Sequence, residues 1–135
     1  MTTIATVVQT IVTAVAAVTN ITRAHTYPPD SVNQNLQAVI YPSNIQWQWG
    51  PMFQYKVVTF DVNIDLVCTV PDAARQVAAL VPFCDSIPAA LFDDEFLNSG
   101  VQQWDGIAGG LLQREDNGQM MLRLTVQTCT IEATL

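Results

Sequence analysis

The sequence predicts an α+β domain, with helices packed on one face of a largely antiparallel sheet that ends in a C-terminal hairpin. Three observations carry that reading. The N-terminal segment repeats apolar residues at helical spacing. Residues 58–70 place apolar side chains on one strand face and polar ones on the other. Asp116-Asn117-Gly118, a hairpin turn signal, separates two strand-like runs near the C-terminus. The element order is helix, three strands, helix, hairpin, without internal repeat or linker, and the 135 residues form one domain spanning 1–135.

In the first helix Ile4, Val7, Val8, Ile11, Val12, Val15 and Val18 draw one stripe over roughly five turns. Its valines and threonines have poor helix propensity, so packing of the stripe must hold it. Tyr27-Pro28-Pro29-Asp30 cannot continue a helix. Residues 37–41 form a short strand closed by Pro42, and Gln46-Trp47-Gln48-Trp49 a second strand ending at Gly50-Pro51. The third strand is the clearest: Val58, Phe60, Val62, Ile64, Leu66, Cys68 and Val70 face the core, while Thr59, Asp61, Asn63, Asp65 and Thr69 face water. It exceeds the usual length of about 5–6 residues, so part of it projects beyond the sheet.

Pro71-Asp72 opens the next helix, with Asp72 at the positive end of the helix dipole and Ala73, Val77, Leu80 and Val81 as the buried stripe. Pro82 and Pro88 break the apolar run that follows, leaving a second short helix through Ile87, Leu91 and Phe92. Residues 93–106 read as loop and 107–115 as strand. The return strand puts Met120, Leu122, Leu124 and Val126 on one face, then shifts phase to Cys129, Ile131, Ala133 and Leu135. A one-residue slip of phase is what a β-bulge does, and it falls near Gln127-Thr128.

Composition narrows the function classes. Half the residues are apolar and only 13% are charged, against about 25% in an ordinary soluble domain. A small domain with so few charges either hides surface against a partner or coats itself with Thr, Gln and Asn. Five Lys and Arg against twelve Asp and Glu give a net charge of −7, which opposes a grip on phosphates or on an anionic membrane. An acidic surface still suits a conduit through which DNA slides without sticking. Cys68, Cys84 and Cys129 are an odd number without CxxC spacing and read as buried, reduced thiols of a protein made in a cytoplasm. Residues 1–22 lack side-chain charge but hold too many Thr and Gln for a membrane span, and no Lys or Arg precedes their apolar part as in a signal peptide.

Catalytic arrangements fail one by one. His25 is the single histidine, without a second ligand for zinc or a nucleophile motif to serve, and reads as a polar loop residue. Asp61 and Asp65 share a strand face about 13 Å apart, too far for a glycosidase pair. They read as a solvated face, with an acidic lumen as the functional alternative. Asp93-Asp94-Glu95 has no EF-hand spacing, and Gly109-Gly110 no phosphate-loop context. No catalytic residue, cofactor or metal is expected, and the chain does not read as an enzyme. Trp47, Trp49, Phe53 and Tyr55 cluster around Gly50-Pro51 as either core or a protein–protein anchor.

A long N-terminal helix, the turn Tyr27-Pro28-Pro29, a long alternating strand and a helix opening Pro71-Asp72-Ala73-Ala74 form the first half. The second runs Ile87-Pro88-Ala89-Ala90-Leu91-Phe92-Asp93-Asp94-Glu95-Phe96-Leu97-Asn98-Ser99-Gly100-Val101 into the hairpin. This order resembles the tail-terminator or tail-completion proteins of long-tailed bacteriophages over nearly the whole chain, by pattern rather than by an invariant motif. The interruption of the second helix by proline departs from it. The resemblance implies a homohexameric ring at the tail–head junction of the virion, which ends tail-tube polymerisation and docks to the head-side connector. Its partners are further copies of itself, the tail-tube protein and the connector protein, with DNA passing through unbound. Another neck or head-closure protein, and a monomeric ligand-binding or enzymatic α+β domain, remain the alternatives.

Overall fold

A five-stranded sheet carries three helices on one face. The computed structural model describes residues 3–19, 21, 23–25, 37–49, 56–68, 73–93, 101, 103–113 and 120–133. In chain order the elements are α1 (Ile4–Ala16), β1 (Arg23–His25), β2 (Gln37–Trp49), β3 (Lys56–Cys68), α2 (Ala73–Leu80), α3 (Phe83–Phe92), β4 (Gly106–Gln113) and β5 (Met120–Ala133). The sheet order is β1-β2-β3-β5-β4. Every pairing is antiparallel except the short β1–β2 contact, and β4 with β5 makes the C-terminal hairpin. The fold is the α+β class that the sequence predicts. The turn Asp116-Asn117-Gly118, the Tyr27-Pro28-Pro29 segment and Pro71-Asp72 lie outside the described residues.

α1 begins at Thr3, whose Oγ1 accepts from the backbone N–H of Thr6 at 3.1 Å, a cap that satisfies one orphan donor. It is shorter than the stripe suggests, 13 residues, but Val7, Val8, Ile11, Val12 and Val15 are buried as expected. The Thr10 and Thr13 hydroxyls donate back to the carbonyls of Thr6 and Gln9, so these polar groups are bonded within the helix. The stripe meets Ile40, Val58, Phe60, Val62, Ile64, Leu66, Leu122, Leu124 and Val126 in one core, joined by Leu80, Phe83, Ile87 and Leu91. Each such side chain contributes roughly 1.5–3 kcal/mol by leaving water.

The structure corrects several expectations. Pro42 does not close a strand: β2 runs unbroken from Gln37 to Trp49. β1 pairs only as far as Val39, so Pro42 lies on an edge stretch where a missing N–H costs little. His25 is a strand residue of β1 rather than a loop residue. β3 does not project. It pairs with β2 on one side and β5 on the other along its whole length. Val81 is exposed, while Gln76 is buried. Pro82 separates α2 from α3, but Pro88 lies inside α3; it withholds a donor from the carbonyl of Cys84, an exposed residue where water can substitute. Cys84, on α3, is exposed rather than buried. Cys68 and Cys129 are buried on neighbouring strands, yet one is paired with Met120 and the other with Phe60. Eight residues of strand put them about 26 Å apart, far beyond disulfide reach.

Candidate assembly surface

The face of the sheet away from the helices carries a hydrogen-bonded polar network beside the buried Val39 and Val67. Arg123 on β5 grips Asp65 on β3 with a fork, Nε to Oδ1 at 2.8 Å and Nη2 to Oδ2 at 3.1 Å. Tyr41 on β2 donates its hydroxyl to the same carboxylate at 2.9 Å and accepts from Arg123 Nη2 at 3.3 Å. One row along, Asn63 donates to Ser43 and accepts from Thr125. Burial, and then Asp65, push the Tyr41 hydroxyl above its ordinary pKa. The hydrogen bonds that Arg123 donates to Asp65 raise its own pKa.

Asp65 therefore departs from expectation. It lies on the predicted face, but it is only 7% exposed and is neutralised by Arg123. A charge inside a sheet is tolerated only with such a partner. Asp61 remains half-exposed and has a different task. Its Oδ2 accepts from Asn44 Nδ2 at 2.8 Å and its Oδ1 from the Thr128 backbone N–H at 2.9 Å. Asn44 lies in a bulge of β2, where the register shifts between Ser43 and Gln46. Thr128 lies in a bulge of β5 opposite Asp61, at the position that the phase slip predicts. Both have positive φ. One carboxylate on the central strand thus ties two bulges on its neighbours.

The β2 bulge exchanges the faces of that strand. Before it, Ala38 and Ile40 point to the core; after it, Trp47 stands directly opposite the core residue Val58. Trp47 is nevertheless 58% exposed, beside the exposed Ile45. At Trp47 the choice between core and surface resolves to surface. The side chain of Trp49 lies outside the described residues, as do Phe53 and Tyr55 altogether.

At the opposite edge, β4 reads Gly-Ile-Ala-Gly-Gly-Leu-Leu-Gln. Ile107 leans on the core, while Leu111 and Leu112 are exposed. Gly109 is required: a Cβ there would overlap the Arg123 carbonyl and sit 2.6 Å from the Leu124 side chain. Sequence reasoning passed over this edge because it sought chemistry-bearing residues; its signal was a strand without charge. A hollow of about 760 Å³ between α1 and α2–α3, lined by Ala14, Val18, Ala79, Pro82, Phe83 and Ala90 among others, has no ionisable residue among the described residues of its lining. Among the described residues no helix is long and apolar enough to cross a membrane. Comparison with protein-family models and with curated proteins yields no match.

Proposed function

We propose that the chain is a structural assembly protein of a bacteriophage virion, a tail terminator that closes into a homohexameric ring at the tail–head junction. The ring ends tail-tube polymerisation, contacts the tail-tube protein on one side and the head-side connector on the other, and passes DNA through its lumen. The chain is made in the host cytoplasm, needs no cofactor and catalyses no reaction.

The observation that carries this reading is the pairing of an inward-bonded polar face with an outward apolar edge. The polar side chains between β2 and β5 bond one another, so they do not converge on a ligand. Ile45 and Trp47, by contrast, stand in water on a strand without charge, as anchors of an interface do. Twelve Asp and Glu against five Lys and Arg give an acidic excess that keeps a DNA channel from becoming a DNA-binding site.

Trp47→Ala separates this reading from a structural role. Truncating an exposed anchor should leave the thermal midpoint within a few degrees of wild type and weaken self-association at least tenfold by sedimentation. A variant that unfolds, or one that associates as wild type does, contradicts it.

A further inference from the structure

Of the five strands, only β2 and β4 contain no charged residue, and they bound the sheet on its two sides apart from the three residues of β1. This inverts the usual arrangement. Edge strands present unpaired N–H and C=O groups, and proteins ordinarily protect them with Lys or other charges. Here, apart from Arg23 in the three-residue β1, the interior strands β3 and β5 hold the strand charges, and the long flanking strands hold Ile45, Trp47, Leu111 and Leu112 in solvent. Among the described residues β4 pairs only with β5, and β2 beyond Val39 pairs only with β3. The exposed stretches, residues 44–48 and 108–112, are of similar length.

We infer that the β4 edge of one copy adds to the β2 edge over residues 40–49, unpaired among the described residues, on the next copy, continuing the sheet across the joint. The inference rests on the assembly reading above and names its contact. Two features select a second copy as the occupant. Each chain carries a net charge of −7, so copies repel wherever charged faces meet, and the two edge strands contribute nothing to that repulsion. Strand direction also fits. Three antiparallel steps lead from β2 to β4, so β4 runs opposite to β2, and a neighbour related by rotation about an axis along the strands meets it antiparallel. The joint is heterologous, edge against a different edge, and repeats until the rotation closes. All helices stay on one side of the continued sheet and the polar network on the other.

The test blocks each edge separately in the full chain. One variant carries Ala108→Lys and Leu112→Lys, the other Gln46→Lys and Gln48→Lys. All four residues are exposed and lie on the outer face, so circular dichroism should show both variants folded. Light scattering should find the wild type as an oligomer, each variant alone near the single-chain mass of 14.8 kDa, and their equimolar mixture at twice that. The mixture joins the intact β4 of one variant to the intact β2 of the other and can extend no further. If the oligomer survives in both variants, the edge contact is wrong while self-assembly stands. If the β2-blocked variant dimerises alone, β4 pairs with itself and the heterologous joint is wrong. A wild type that stays at 14.8 kDa at every concentration up to the solubility limit overturns both.

Discussion

Asn44 and Thr128 both hold φ near +50°, at 52° and 53°, a region that costs a β-branched threonine roughly 1–3 kcal/mol. Asp61 stabilises both with one carboxylate. Asp61→Ala removes two charge-assisted hydrogen bonds from a half-exposed site and should lower stability by about 1–2 kcal/mol in urea titration. An unchanged midpoint would show that the bulges hold themselves. Tyr41 gives a pH signature. Burial and the Asp65 carboxylate raise its folded pKa above the value of 10.0 that the unfolded chain retains. The folded state therefore keeps a proton that the unfolded state gives up, and the stabilisation is full below pH 10 and lost as pH rises through the folded value. The stability gap between wild type and Tyr41→Phe should narrow above pH 10, and a constant gap refutes the assignment.

At the scale of elements, the edge strand β4 sets two neighbouring glycines against each other. Gly109→Ala drives a methyl into the Arg123 backbone and Leu124 and should cost about 1–3 kcal/mol. Gly110 faces open space without positive φ, so Gly110→Ala should be neutral or stabilise by up to about 1 kcal/mol. Thermal melts of the two variants decide it, and equal effects would show that β4 does not pack as described. The elements that were legible in the sequence are those whose period survives without context. β3 shows its faces by alternation, α1 its stripe, and the phase slip after Val126 marks the β5 bulge. β2 was not legible as one strand, because Pro42 breaks a central strand but not an edge stretch, and position in a sheet is tertiary information. Trp47 could not be assigned a face, because the bulge that exchanges the faces is held by Asp61, a residue of another strand. The burial of Asp65 depends on Arg123, 58 residues away in sequence.

Across the whole molecule, charge and burial separate into distinct zones. The core is a single apolar cluster between the helices and one sheet face, and the other face carries Asp61, Asp65, Asn63, Arg123 and Thr125, bonded to one another or to their strand neighbours. The two long flanking strands, β2 and β4, are uncharged and partly apolar. Cys129 belongs to the core, where burial, and then Asp61, push its thiol up to about 12, which leaves it without thiolate character at neutral pH. On the proposed reading this distribution serves a part that joins others, and the shape of the assembled particle is the decisive observable. Electron microscopy of the purified full chain at high concentration, with its mass taken by native mass spectrometry, tests that claim most directly. The account expects closed rings with a central opening, at six times the single-chain mass of 14.8 kDa; a population of single chains, or open filaments without closed rings, contradicts it.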